Sequence, residues 1–356
     1  KYKAFSFGFL IGLFWFYWIS FSFIYYDLPY LIPFIILFVA FVYGLIFFIG
    51  FFVENFFLKA LFLSIVGYIN PFGFNWFQME ILLLDSFFEV QKWQFILLIF
   101  AIAMSKENKI FYPNFKYSVS AVLMALSIIK FDNSTPNENN LNILITSTSI
   151  PQEIKWDREK LIDIVLENFK MIDNAIKDGY DAIIFPENAF PTYLNIEEKM
   201  VELLLERSKK ITIVTGALRF EDDKFYNSNY IFEDGNFTIA NKVELVPFGE
   251  KIPLPKFMAR YLNDIFFNGA EDFEQAKEVV DIKIKGVTFR NAICYEATVD
   301  RLYENSPKFM IAISNNAWFK HSIEPTMQYM LLRLYSKKYN TTIYHSANME
   351  KSALIK

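Results

Sequence analysis

The sequence predicts a two-part protein, a multi-span α-helical membrane domain followed by an α/β domain, and three observations lead there. The 356 residues are 54% hydrophobic and 19% aromatic, above the apolar share of an ordinary soluble domain. That excess lies almost wholly before Lys130, and from Asn133 onward the composition is that of a water-soluble domain. In this second part, short β-rich runs alternate with segments whose apolar residues recur at helical spacing, the pattern of layered α/β folds. The predicted domains are residues 1–131, helical and membrane-embedded; 132–140, a linker; and 141–356, α/β.

Several function classes fall away early. A net charge of −4 without a basic cluster gives no footing for nucleic-acid binding. One cysteine, Cys294, excludes an internal disulfide framework. His321 and His345 show no metal-ligand spacing, so no metal site is expected, and nothing calls for an organic cofactor. The chain starts at Lys1, and its first apolar run is too long for a cleaved secretory signal. A portion of a longer protein is therefore expected.

Spanning helices need roughly 20 apolar residues. Ala4–Tyr26 and Leu28–Val53 meet this; Phe56–Ile69 is shorter and stops at Asn70-Pro71-Phe72-Gly73. Trp93–Met104 reaches the length by extending back through Phe87, and Tyr117–Phe131 is a fifth candidate. With five spans, Lys1, Lys3, Lys59, Lys106, Lys109 and Lys116 share one face, which the positive-inside rule makes cytoplasmic. The segment after Phe131 then emerges on the opposite face. Asn70–Gln91, with Phe72, Phe74, Trp76 and Phe77, reads as an interfacial aromatic belt; a lipid-facing wall below a catalytic site is the alternative.

In the second part, Asp132–Asn140 is polar and reads as a linker. Leu141–Thr146, Ala182–Phe185 and Ile211–Leu218 read as strands, with helices over Asp157–Lys177 (closed by Gly179) and Glu197–Lys210. Tyr226–Phe232 and Phe237–Val243 flank Asp234-Gly235, a hairpin signal. Val287–Cys294 and Phe309–Ile313 are further strands, and Thr326–Lys338 is a helix. Glu187, Cys294 and Asn315 then fall just past strand C-terminal ends, where open α/β sheets bind ligands.

A lone cysteine is more often a buried apolar residue than a nucleophile. To act, Cys294 needs a base or a cation beside it. Glu187 follows Ile183-Ile184-Phe185-Pro186, and such apolar flanks raise a carboxyl pKa toward the range of a general base. Lys242 offers a fixed positive charge that lowers the thiol pKa and stabilises an oxyanion. Each residue alone is a weak signal, and their strength is joint.

Phe185–Ala189 (FPENA), Lys242 with Leu245–Glu250 (LVPFGE), and Ile293–Glu296 (ICYE), in this order, resemble the three signature segments of the nitrilase, or carbon–nitrogen hydrolase, superfamily. That resemblance implies an α-β-β-α sandwich with a Glu–Lys–Cys triad over about Leu141 to the chain end. With the preceding spans, the chain resembles the apolipoprotein N-acyltransferase family. Ile150-Pro151-Gln152 with Lys155-Trp156, and Ser314-Asn315-Asn316-Ala317-Trp318-Phe319, support that narrower match.

The resemblance implies Glu187 as base, Lys242 as oxyanion-stabilising cation and Cys294 as nucleophile. Glu250 would help hold the site, Tyr295 and Glu296 would support the cysteine, and Trp156 would bind substrate. It implies a phospholipid acyl donor, a diacylated lipoprotein acceptor, and a monomer in the bacterial cytoplasmic membrane with its catalytic domain outside. Asn188, Asn316 and Lys320 depart from the family's usual Thr or Ser, Asp and Gly, and further family spans and strands are expected beyond both ends. Two rivals stay open at this level: a membrane-tethered amidase using water as second nucleophile, and a non-catalytic lipid- or lipoprotein-binding protein.

Overall fold

The computed structural model describes residues 2–107, 112–130, 135–247, 249–252, 254–255, 257, 260 and 272–356. Lys1, Lys109, Phe131, residues 132–134 of the expected linker, and Phe248 lie outside the described residues. Two units divide between Thr135 and Pro136.

The first unit is helical. Helix α1 (Tyr2–Phe16) runs on as a 3₁₀ stretch over Tyr17–Tyr26, which ends where Asp27 turns left-handed with φ 58°. Helix α2 (Ile32–Gly50) packs on α1 at Gly8 and Gly12. A Cβ at Gly8 would lie 2.4 Å from the Tyr43 carbonyl oxygen, and one at Gly12 would lie 2.7 Å from Ala40 Cα. Small residues one turn apart let two helix backbones approach closely. Helix α3 (Phe56–Val66) is capped by Asn55, whose side chain accepts from the N–H groups of Phe57 and Leu58.

Among the described residues, three stretches are long and apolar enough to cross a membrane: Tyr2–Tyr26, Pro29–Gly50 and Phe56–Gly73. Helices α4 (Lys92–Lys106) and α5 (Pro113–Ile128) have 15 and 16 residues. At 1.5 Å per residue these are short of a hydrocarbon core about 30 Å thick. Helix α4 begins at Lys92 rather than Phe87, and there the Lys92 ammonium pairs with the buried Glu80 carboxylate. The expected aromatic belt is partly interior. Trp76 and Phe77 are buried, Trp76 against Trp18, and Phe77 against Phe16, Tyr43 and Phe47.

The second unit is a four-layer α-β-β-α sandwich, as the resemblance implies. Its described elements run β1 (Ile143–Ile145), β2 (Ser147–Thr148), α6 (Gln152–Lys155), α7 (Arg158–Lys177), β3 (Ala182–Ile184) and β4 (Phe190–Tyr193). They continue with α8 (Glu198–Ser208), β5 (Thr212–Glu221), β6 (Lys224–Glu233), β7 (Asn236–Asn241), β8 (Asp281–Ile284) and β9 (Val287–Ile293). Last come β10 (Phe309–Asn315), α9 (Glu324–Tyr339), β11 (Thr342–Asn348) and β12 (Ala353–Ile355).

One sheet has the order β1-β3-β5-β6-β7, with β4 beside β5; the other is β12-β11-β10-β9-β8, with β2 beside β11. Alternate residues of each strand face opposite layers. Ile184, Val214 and Ile231 of the first sheet meet Phe289, Ile293, Ile311 and Ile313 of the second. The opposite face of the first sheet packs Ile183, Ile213 and Phe232 against Phe169 and Ile172 of α7 and Leu204 of α8. The second sheet packs Ala292, Met310 and Ile343 against Leu332 and Tyr335 of α9. Part of the segment read as a linker is bonded into this unit: Asn137 Nδ2 donates to the Asn340 carbonyl, and Asn139 Nδ2 to the Tyr344 hydroxyl. Asn315 is the last residue of β10 rather than lying past its end.

Candidate active site

The turn after β3 carries Glu187. Phe185 N–H still bonds the Val214 carbonyl of β5 at 2.8 Å, and Ala189 N–H closes the turn onto the Pro186 carbonyl at 3.2 Å. Asn188 sits in the left-handed region with φ 51°, a conformation Asn tolerates better than most residues. Gly216 of β5 lies directly beneath. A Cβ there would stand 2.6 Å from Asn188 N and 2.7 Å from Glu187 Cα, so only glycine lets the turn sit this low.

Lys242 follows the β6–β7 hairpin and is 1% exposed. Its Nζ lies 2.9 Å from Glu250 Oε1, 2.8 Å from Glu250 Oε2 and 4.0 Å from Glu187 Oε1. Asn227 of β6 joins the two acids: its Nδ2 donates to Glu187 Oε1 at 2.7 Å and to Glu250 Oε1 at 2.8 Å. Glu250 Oε2 also accepts from Val246 N–H at 2.9 Å. A buried ammonium flanked by two carboxylates and an amide satisfies the rule that buried charges are paired and hydrogen-bonded.

Cys294 is the first residue after β9, at the start of a 3₁₀ turn over Cys294–Thr298, and its φ is +55°. A non-glycine residue held there stores strain of about 1–3 kcal/mol, a recurrent feature of active sites. Glu296 fastens this turn to the Lys242 segment. Its Oε1 accepts from Ile293 N–H at 2.8 Å, and its Oε2 from Val243 N–H at 2.9 Å and Glu244 N–H at 3.2 Å. Tyr295 is buried beside it.

The electrostatics follow from burial. Burial raises the Glu187 carboxyl above its ordinary value, against the opposing pull of Lys242 and the Asn227 hydrogen bond. Burial alone would lower Lys242, but Glu250 and Glu187 outweigh it and the net shift is upward. Burial, then the Glu187 charge, pushes the Cys294 thiol up, and Lys242 only partly opposes them. Lys242 lowers the thiol pKa, as expected, but burial and the Glu187 charge outweigh it. Glu296 is pushed up to about 7 by burial, with Lys242 and its three N–H partners resisting.

Trp156 is 43% exposed, whereas its neighbour Lys155 is 1% exposed. The Lys155 Nζ donates to the Glu187 carbonyl oxygen at 2.9 Å, and burial lowers its pKa to about 7. Sequence reasoning passed over Lys155 and Asn227, since a lysine in an amphipathic segment and an asparagine on a strand are usually solvated. The one available signal was the presence of Lys155 in a segment that carried the resemblance. Asn315 ties the second sheet to the α6 segment: Nδ2 donates to Gln152 Oε1 at 3.1 Å, and Oδ1 accepts from Asn348 Nδ2 at 2.8 Å.

Comparison with known proteins covers nearly the whole chain. Residues 1–131 match the family described as "Apolipoprotein N-acyltransferase integral membrane domain", and residues 144–341 match "Carbon-nitrogen hydrolase". A protein of Wolinella succinogenes named apolipoprotein N-acyltransferase is 43% identical over 354 residues, covering 99% of this chain and 84% of the relative. Those of Helicobacter pylori and Campylobacter jejuni, with the same name, are 37% and 36% identical, covering 99% and 98% of this chain and 83% and 77% of the relatives.

Proposed function

Because the chain belongs to the apolipoprotein N-acyltransferase family, we propose that it moves a fatty acyl chain from a membrane phospholipid, through a thioester on Cys294, to the N-terminal amine of a diacylglyceryl-cysteine lipoprotein. The observation that carries the chemistry is the set of Glu187, Lys242 and Glu250 joined by Asn227, with a strained cysteine just past the end of β9.

In the first half-reaction Glu187 takes the thiol proton as Sγ attacks the ester carbonyl carbon. The resulting oxyanion is held by Lys242, a preorganised charge that needs no reorganisation as the anion forms. The C–O bond then breaks, and Glu187 returns the proton to the departing lysophospholipid oxygen. In the second, the acceptor amine attacks the thioester carbonyl, Glu187 removes a proton from nitrogen, and the C–S bond breaks. The proton returns to sulfur, and the amide leaves with Cys294 regenerated.

The first unit supports a reaction at the bilayer. Each buried CH₂ is worth about 0.8 kcal/mol, so withdrawing a long acyl chain into water would cost more than most sites return. Lys3 and Lys59 fall on one face when the three apolar stretches cross, and Lys106 and Lys116 join them on that face when α4 and α5 cross as well. Either count is odd and puts the catalytic unit on the extracytoplasmic side of the cytoplasmic membrane.

The test is intact mass spectrometry of the purified chain incubated with phospholipid alone. A mass increase of one acyl chain, absent in Cys294→Ala, is expected. Turnover with an unmodified cysteine would overturn the thioester route.

A further inference from the structure

The catalytic set described so far approaches Cys294 from the β3, β6 and β7 side. A second buried polar group reaches it from α9. Gln328 Nε2 lies 3.6 Å from Cys294 Sγ, within the range of a hydrogen bond to sulfur. The other end of the same amide is engaged: Gln328 Oε1 accepts from Asn316 Nδ2 at 3.0 Å. That nitrogen also donates to Glu324 Oε2 at 3.0 Å. Gln328, Asn316 and Glu324 are 1%, 1% and 2% exposed. Glu324 and Gln328 are four residues apart on α9 and so share a helix face, while Asn316 opens the turn after β10.

We propose that Gln328 is a further catalytic residue, whose amide N–H stabilises the Cys294 thiolate in both half-reactions, and that Asn316 and Glu324 are positioning residues that keep this end of the amide turned to sulfur. A side-chain amide can present either oxygen or nitrogen to a neighbour, and its hydrogen bonds decide which. Asn316 Nδ2 donates to both Glu324 and Gln328. It thereby takes the Gln328 oxygen and leaves the Gln328 nitrogen for Sγ.

The energetic logic is differential. A neutral thiol is a weak acceptor, and a thiolate is a much stronger one. The N–H···S contact therefore strengthens as the proton passes from Sγ to Glu187, and again as the C–S bond breaks and the electron pair returns to sulfur. Interactions that grow toward the transition state accelerate the reaction. Burial pushes the Glu324 carboxyl up to about 8, which keeps a second negative charge away from the sulfur near neutral pH.

The proposal rests on Cys294 being the nucleophile, and its test separates the two. The full chain in detergent micelles is compared with Gln328→Met, Asn316→Leu, which removes the donor to the Gln328 oxygen, and the double variant, each checked by thermal unfolding for a native transition. Two rates are read: alkylation of Cys294 by iodoacetamide, and single-turnover acylation of Cys294 by phospholipid. Loss of one donor to the thiolate should slow both about tenfold in either single variant, leaving the lipid concentration at half-maximal rate unchanged. The double variant should be no slower than Gln328→Met, since both changes act through one contact. Rates in Gln328→Met within about twofold of the unsubstituted chain, or additive losses in the double variant, would overturn the proposal. Gln328-dependent alkylation without any acylation of the unsubstituted chain would instead overturn the acyl-transfer reading and leave the role of Gln328 standing.

Discussion

The Lys155 ammonium donates to the backbone carbonyl of Glu187 at 2.9 Å, so a residue next to the exposed Trp156 supports the turn that carries Glu187, the proposed base. Lys155→Met leaves that carbonyl without its partner in a dry site. Misplacing a reacting group by about 1 Å can cost about 100-fold in rate, and a fall in kcat of that order is expected, with KM little changed. Steady-state acyl transfer to a lipopeptide measures it, and an unaltered kcat would count against the supporting role.

The same lysine makes a stability prediction. Its folded pKa of about 7 lies below the ordinary 10.5. The unfolded chain therefore binds more protons between those values, and stability falls as pH drops through that window. Between about pH 9 and about pH 6, Lys155→Met should lose less thermal stability than the unsubstituted chain. Equal losses in a melting series would show that the buried amine does not titrate as described.

Gly216→Ala should be more damaging than its size suggests. The added methyl meets backbone atoms of Glu187 and Asn188 at 2.7 and 2.6 Å, and neither can rotate aside as a side-chain tip would. Overpacking of this kind costs about 1–3 kcal/mol, and lifting the turn displaces the base. Reduced unfolding midpoint and loss of acyl transfer are expected together. Activity comparable to the unsubstituted chain would mean that the turn tolerates the shift.

Asn227→Leu tests the bridge between Glu187 and Glu250. Glu187 works as a base only when ionised, so the rate falls as pH drops through its pKa. The Asn227 hydrogen bond favours the ionised form, so its removal raises that pKa. The acid limb of kcat/KM against pH should move to higher pH. A limb that stays in place would assign it to another group.

Cys294 separates strain from chemistry. At φ +55° a Cβ is penalised and glycine is not, so Cys294→Gly should be more stable than Cys294→Ala by about 1 kcal/mol. Both should be inactive. Equal melting temperatures for the two variants would place the strain elsewhere.

Much of this architecture was legible in the sequence because its signals are local. Apolar length marked the helical unit, and helical and strand periodicities marked α7, β3, β5, the β6–β7 hairpin and β9 within a few residues. Glu187, Lys242 and Cys294 stood out together, since the motifs that carried the resemblance are contiguous. Strands β2, β4, β8, β11 and β12 were missed: β2, β4 and β12 are only two, four and three residues long, and β11 pairs with β2 and β12, partners that no local pattern names.

What the sequence determined by itself was therefore the order of the main elements, the two-unit division of polarity and the residues proposed for the chemistry. Tertiary structure alone decided how those residues are supported. Lys155 and Glu187, Asn227 and Glu250, and Gln328 and Cys294 are each brought together from separated segments. The physical reason is burial. Whether a lysine, asparagine or glutamine is a solvated surface residue or a buried donor depends on what the folded chain places over it, and periodicity within one segment carries no information about that.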